Sequence, residues 1–180
     1  KNLLKINNKS LTYMACEKCL KVPSINNVYL DTESIEIIND VSPLLKEGLK
    51  IIKRPEHLAS NKSTANDLIV YEQSVIEKSD LILHTYATSP LITSSTIESC
   101  ITQFLNSVDG YDSFFSAIHF QEYLWNPTGP INFFLDRLPN AVDLPDNIVT
   151  ETHGLYGITD EALTRFKRRL GSRIFPIKIP

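Results

Sequence analysis

Two stretches of this sequence carry residue types suited to an anionic ligand. Arg54-Pro55 follows Lys50-Ile51-Ile52, which is expected to be a strand, and Ser60 to Thr64 precedes a segment of helical period. A guanidinium beside hydroxyls and the free amides of a helix N-terminus can hold a nucleotide or a phosphate. The same residues equally make a capped helix with a surface arginine. A Thr88-Ser89-Pro90 turn lies at another expected strand end, where α/β proteins bind ligands.

Three other constellations are weighed against plainer readings. Cys16 and Cys19 are spaced C-x-x-C, but a zinc site needs about four ligands, and no second pair lies nearby. Core packing is the expectation. Arg165-Phe166-Lys167-Arg168-Arg169, with Arg173 beyond, is the single basic cluster. Cations at a helix C-terminus are stabilised by the dipole and the last carbonyls, which explains the cluster without a phosphate partner. His57, His84, His119 and His153 are scattered, each the kind of lone histidine that usually has a structural role.

Alternating helix and strand signals supply the elements that position these residues. Ser10 to Lys21 reads as a capped helix, Asn27 to Asp31 as a strand, Ser34 to Asp40 as a short helix and Lys50 to Ile52 as a strand. Thr64 to Lys78 reads as a helix and Leu81 to His84 as a strand. Ile97, Cys100, Ile101, Phe104, Leu105 and Val108 form a helical apolar stripe, and Phe114 to His119 a buried strand. Repeated units of this length favour an α/β fold of three αβα layers, with a mainly parallel sheet between helices on both faces. From Gln121 to Ile148 the helical period is lost and extended segments are expected. A strand at Leu155 to Ile158, a helix from Glu161 to Leu170 stopped by Gly171, and a strand from Ile174 to Ile179 return to the core.

The 180 residues suit one domain, and 42% hydrophobic with 22% charged residues excludes long-range disorder. The formal net charge of −3 argues against a general nucleic-acid binder. Three cysteines without framework spacing argue against disulfide stapling. No apolar run approaches the roughly 18 residues of a membrane span and no secretory leader is read at the start, so a cytoplasmic location is expected. Because the chain opens on Lys1 without the first strand of an α/β domain, it reads as a fragment of a longer protein.

Taken together, these segments resemble the acylneuraminate cytidylyltransferase family along the length of the chain. Lys1-Asn2-Leu3 is similar to the end of that family's A-R-x-G-S-K-x-I-P-x-K-N loop, and Val28 to Asp31 to its V-S-T-D strand end. Arg54 to Asn61 is similar to R-P-x-x-L-A-S-D, and Ala87 to Thr93 to Q-x-T-S-P-L-x-T. Trp125 with Gly129-Pro130-Ile131-Asn132, Arg137 to Leu144, Glu151 to Tyr156 and Arg169-Leu170-Gly171 match later segments in order.

The resemblance implies a Rossmann-like nucleotidyltransferase that transfers CMP from CTP to a 2-keto-3-deoxy sugar acid, such as sialic acid, releasing pyrophosphate with Mg²⁺. It implies that Lys1 acts in catalysis and, with Asn2, faces CTP. Arg54, Ser60, Ser63 and Thr64 would hold CMP, Thr88 and Ser89 line the pocket, and Tyr86, His153 and Tyr156 meet the sugar acid. Residues 120–148 would form the contacts of a homodimer.

The chain departs from the family pattern at five places: Tyr86 stands for Gln, Ile92 for Arg, Asn61 for Asp, Val142 for Gln and His153 for Asn. The R-x-G-S-K residues are expected before Lys1 and the acidic D-x-D metal segment after Pro180, so no metal ligand is assigned within the chain. A non-catalytic binding or assembly subunit of the same fold is the alternative expectation.

Overall fold

A computed structural model describes residues 1–60, 62–145 and 148–180. Asn61 and residues 146 and 147 of the expected dimer excursion lie outside the described residues. The chain begins with a hairpin, β1 (Lys5–Ile6) and β2 (Lys9–Ser10). Its turn residues, Asn7 and Asn8, take φ of 50° and 66°, as a tight two-residue hairpin demands. Helix α1 (Leu11–Leu20) follows, capped by the Ser10 hydroxyl, which accepts from the Tyr13 amide.

Strand β3 (Val28–Thr32), α2 (Ile35–Asp40) and β4 (Leu49–Lys53) come next, with a 3-10 turn before β4. Helix α3 (Ala65–Val75) starts with a full capping box between Thr64 and Asp67. It leads to β5 (Leu81–Thr85), α4 (Ser94–Leu105) and β6 (Ser113–His119). The excursion holds a small hairpin, β7 (Trp125–Asn126) with β8 (Gly129–Pro130), and no α-helix among its described residues. Strand β9 (Val149–Thr159), α5 (Asp160–Phe166) and β10 (Ile174–Lys178) close the fold.

The strands form a parallel β3–β4 pair and a four-stranded sheet of order β10-β6-β9-β5. Within the latter, β10 and β6 are parallel and β9 runs against both β5 and β6. Alternation along the strands sends successive side chains to opposite faces. Leu81, Leu83, Phe114, Leu155 and Ile177 join Ile97, Cys100, Ile101 and Phe104 of α4 on one face. Ile82 and Ile158 meet Ile69 of α3 and Ala162 and Leu163 of α5 on the other. The expected three layers follow. Val28 packs both in that first core and in the cluster of Cys16, Val41, Leu44 and Leu49, so it joins the β3–β4 pair to the larger sheet.

Three sequence expectations are corrected. Helix α5 ends at Phe166, because Lys167 adopts the left-handed conformation at φ 52°; Gly171 therefore does not stop it. Strand β9 spans eleven residues, reaching back to Val149, since its polar first half is held by pairing with Ala117, Ile118 and His119. The helix carrying the Ile97 stripe stops at Leu105, leaving Val108 96% exposed and outside the core.

Cys16 and Cys19 are buried and free, and burial pushes their thiols up to about 12 and about 11. They are packing residues, as expected. No helix among the described residues is long and apolar enough to cross a membrane.

Candidate active site

The strand ends gather a polar cluster around a defect in β9. Pairing between β6 and β9 runs in register to Phe115 with Tyr156, then resumes at Ala117 with Glu151. Four residues of β9, 152–155, therefore lie against one residue of β6, Ser116. Such a bulge re-aims side chains beside functional sites.

The buried Ser116 hydroxyl fills the defect. It accepts from the Leu155 amide at 3.0 Å and lies 2.6 Å from the Thr152 hydroxyl. Thr152 Oγ1 also donates to the Ser116 carbonyl at 3.1 Å. Gly157 permits close packing just beyond, since a Cβ there would fall 2.1 Å from the Phe114 ring.

The bulge presents His153, paired Glu151 precedes it, and Tyr156 follows where register is regained, opposite His84 on the other side. The Tyr156 hydroxyl donates to Glu151 Oε2 at 2.6 Å and lies 2.9 Å from His153 Nδ1. Burial foremost, then this bond to Glu151, pushes the Tyr156 phenol well above the ordinary tyrosine range. Arg169 completes the group. Its guanidinium lies 3.6 Å from the Tyr156 ring centre, donates to the Tyr86 hydroxyl at 2.9 Å and comes within 3.7 Å of Glu151 Oε2. A cation stacked on a ring and paired at its rim is held by several weak forces at once.

Arg169 reaches this place because α5 stops early. Its amide donates to the Asn66 side chain at the start of α3, at 2.9 Å. Arg168 turns instead to the Gly171 carbonyl, at 2.8 Å. Only Arg165 of the basic cluster lies in the last helical turn, so the dipole reading holds for that residue and not for Arg169.

A second charged group lies at the ends of β3 and β4. Arg54 Nε donates to Asp31 Oδ2 at 3.0 Å, Nη2 to the Asp31 carbonyl at 3.1 Å, and Nη1 is 3.5 Å from Glu33. Desolvation, followed by the neighbouring Asp31 charge, pushes the Glu72 carboxyl of α3 up to about 8. Asp31 Oδ1 and His84 Nδ1 are buried without a hydrogen-bond partner among the described residues. A hydrogen bond from protonated Glu72 to the Asp31 side chain is a further cause of the Glu72 rise. His84 ties the two groups together: burial first, then the charges of Arg169 and Arg54, lower its pKa to about 4. It is a neutral ring between two cations.

The structure thus brings Tyr86, Ser89, His153 and Tyr156 together, with Ser89 Oγ donating to the His153 carbonyl at 3.4 Å. Lys18 of α1 fixes the turn from behind, donating to the Ser89 and Pro90 carbonyls at 3.3 and 3.0 Å. Thr88 is exposed on that turn. Ser60 and Ser63 both donate to the His57 carbonyl, at 3.4 and 3.2 Å. With the Thr64 cap they form a unit of their own.

Asn2 is tied to the start of α1, where its carbonyl accepts from the Thr12 amide at 3.2 Å, while the Lys1 carbonyl accepts from the Leu4 amide at 3.0 Å. A groove of about 460 Å³ opens beside α1, lined by Ile6, Met14, Lys18, Ile92 and Thr93 among others, apart from the Arg169 cluster. Among the described residues, no group of three or more His, Cys, Asp and Glu side chains is set to hold a metal ion. Mg²⁺ is therefore not placed on them.

Sequence reasoning assigned neither Glu151 nor Arg169 to the site. The signal was present in the Glu151-Thr152-His153-Gly154-Leu155-Tyr156 segment and the basic cluster, but the early end of α5 was hidden.

Known proteins share this architecture. CMP:2-keto-3-deoxy-manno-octonic acid synthetase, in a complex with CTP, superposes with a TM-score of 0.66 at 15% identity, over 99% of this chain and 83% of that one. A 4-diphosphocytidyl-2C-methyl-D-erythritol synthase from Anaerococcus prevotii gives a TM-score of 0.66 at 12% identity, over 91% of this chain and 65% of that one. A cytidylyltransferase from Leptospira borgpetersenii gives 0.55 at 15% identity, over 92% and 56%. At these identities the likeness is one of fold. No curated protein sequence matches the chain significantly. The profile of the family described as Cytidylyltransferase matches residues 1–132, well over half of the chain. Its span takes in the Arg54 group and the Thr88-Ser89-Pro90 turn, and the chain belongs to the cytidylyltransferase family of nucleotidyltransferases.

Proposed function

We propose that the chain is the core of an enzyme that transfers CMP from CTP to a hydroxyl of a 2-keto-3-deoxy sugar acid, releasing pyrophosphate. The observation that carries the acceptor class is the Arg169 guanidinium, stacked on Tyr156 and bonded to Tyr86 at the strand ends. A sugar acid brings a carboxylate, which a planar guanidinium recognises, and hydroxyls, which Tyr86, His153 and Tyr156 can bond. Arg54 and the Ser60, Ser63 and Thr64 turn take the nucleotide side, with Thr88 and Ser89 between and Lys1 and Asn2 toward the triphosphate. In-line displacement at phosphorus asks a protein for positioning and for charge balance where charge develops. Mg²⁺, when bound, supplies that balance at the triphosphate.

The excursion supports a homodimer as part of this reading. Phe134, Leu135, Leu138 and Val142 are 82%, 63%, 65% and 79% exposed, large apolar side chains of the kind that subunit contacts cover. A cytoplasmic enzyme of nucleotide-sugar synthesis fits this picture.

Pyrophosphate release from CTP and Mg²⁺ across a panel of ulosonic acids, using the full-length protein, tests the reading. Turnover with at least one acid is expected. CTP binding without turnover would favour the non-catalytic subunit, and silence in both assays would reject the nucleotide reading. Arg54→Ala is expected to weaken CTP binding with the fold retained; unchanged affinity by calorimetry rejects its role.

A further inference from the structure

Helix α3 carries a residue that its own start does not require. Thr64 and Asp67 already close the capping box, each side chain bonded to the other's backbone amide. Asn66 lies between them as the second residue of the helix, and asparagine is a weak helix former. Its side chain is used elsewhere: Oδ1 accepts from the Arg169 amide at 2.9 Å. A backbone N–H can only donate, so the oxygen of that carboxamide is the end that faces Arg169.

The bond falls where the chain has left regular structure, in the link from α5 to β10. At one end of that link the Lys167 amide closes α5 on the Leu163 carbonyl at 2.9 Å. At the other, the Gly171 amide donates to Ser113 Oγ at 2.8 Å, and the Ser172 and Arg173 amides donate to the Asp112 carboxylate at 2.9 and 3.0 Å. Asn66 holds the backbone midway between these anchors, at the residue whose guanidinium reaches the Tyr156 ring and the Tyr86 hydroxyl. The helix it works from is itself fixed to α5. Ile69 packs with Ala162 and Leu163, and Gln73 Nε2 reaches the Asp160 carbonyl, the Asp160 carboxylate and the Thr164 hydroxyl at 3.1, 2.8 and 2.9 Å.

From this arrangement we infer that Asn66 is a positioning residue of the acceptor site, fixing the Arg169 backbone so that the guanidinium meets the acceptor carboxylate. The inference rests on the cytidylyl-transfer reading and supplies the support of its carboxylate-binding arginine. A long side chain aimed from a loose backbone loses its aim, and small misplacements of a binding group are costly. The same helix begins directly after Ser60, Ser63 and Thr64, so one element adjoins the nucleotide side and steadies the acceptor side.

Pyrophosphate-release kinetics on the full-length protein, with CTP, Mg²⁺ and sialic acid or another ulosonic acid of the panel, test the assignment. Asn66→Ala should keep the fold, since alanine is the better helix former, and thermal unfolding checks this. Its acceptor KM should rise about fivefold, the loss of one hydrogen bond, while kcat and the CTP KM stay as they are. Asn66→Asp should restore the acceptor KM, because a carboxylate also accepts from the amide and suits the first turn of a helix. In an Arg169→Gln background, Asn66→Ala should add nothing, as expected of a residue that acts through the guanidinium. An unchanged acceptor KM in Asn66→Ala, an equal rise in the CTP KM, no rescue by Asn66→Asp, or full additivity with Arg169→Gln overturns the proposal. Absence of turnover by the wild type with every acid overturns the transfer reading itself, a distinct result.

Discussion

Ser116→Ala is the sharpest probe of how the bulge is held. The side chain is 1% exposed, so water cannot replace what is lost. The Leu155 amide loses its acceptor at 3.0 Å, and the Thr152 hydroxyl loses a partner at 2.6 Å while keeping the Ser116 carbonyl. A buried donor left unmade costs about 1–3 kcal/mol, and Thr152 has a second acceptor, so we expect a loss near 2 kcal/mol. For a domain of this size that is about 2–4 °C in Tm for each kcal/mol. Urea unfolding should give a lower midpoint at unchanged slope. The Thr152→Val variant completes a double-mutant cycle, where coupling of about 0.5 kcal/mol or more is expected. A Ser116→Ala loss below about 0.5 kcal/mol, or strict additivity, would refute the idea that this hydroxyl pair sustains the bulge.

Other perturbations test the two charged groups and the packing beneath them. Glu72, raised from 4.5 to about 8 in the folded protein, binds a proton that the unfolded chain has released, so stability should fall as pH rises across that window. Glu72→Gln should flatten the slope, and an unchanged slope in unfolding at pH 5 to 8 rejects the assignment. Arg169→Gln should raise the acceptor KM at least tenfold with CTP affinity unchanged; an unaltered KM excludes the guanidinium from acceptor binding. Gly157→Ala places a methyl against the buried Phe114 ring, and overpacking should cost about 3 kcal/mol; a neutral result in thermal unfolding would mean that β9 shifts freely.

Much of the fold was legible because apolar periodicity reports burial. Ile97, Cys100, Ile101 and Phe104 marked α4, and the runs at Leu81 and Phe114 marked β5 and β6 of the four-stranded sheet. The first half of β9 was not legible, since Val149 to Gly154 carries polar residues and its pairing partners lie some thirty residues earlier. The end of α5 was misread because a lysine, rather than the glycine four residues on, takes the left-handed turn. That single error hid Arg169, whose role depends on leaving the helix axis. Tyr86, His153 and Tyr156 could be grouped through the family likeness alone, because only antiparallel pairing of β5 with β9 makes neighbours of residues so far apart in the chain.

The chain's lone tryptophan, Trp125, is 57% exposed in the β7–β8 hairpin and packs edge-on to Phe133 at 5.2 Å. Indole emission therefore originates from the excursion, whereas ultraviolet difference bands of Tyr86 and Tyr156 arise at the strand ends. The molecule carries a single indole, and it reports on the excursion. Red-selective excitation isolates this indole from the seven tyrosines, so any event that covers the hairpin shifts its emission without a dye.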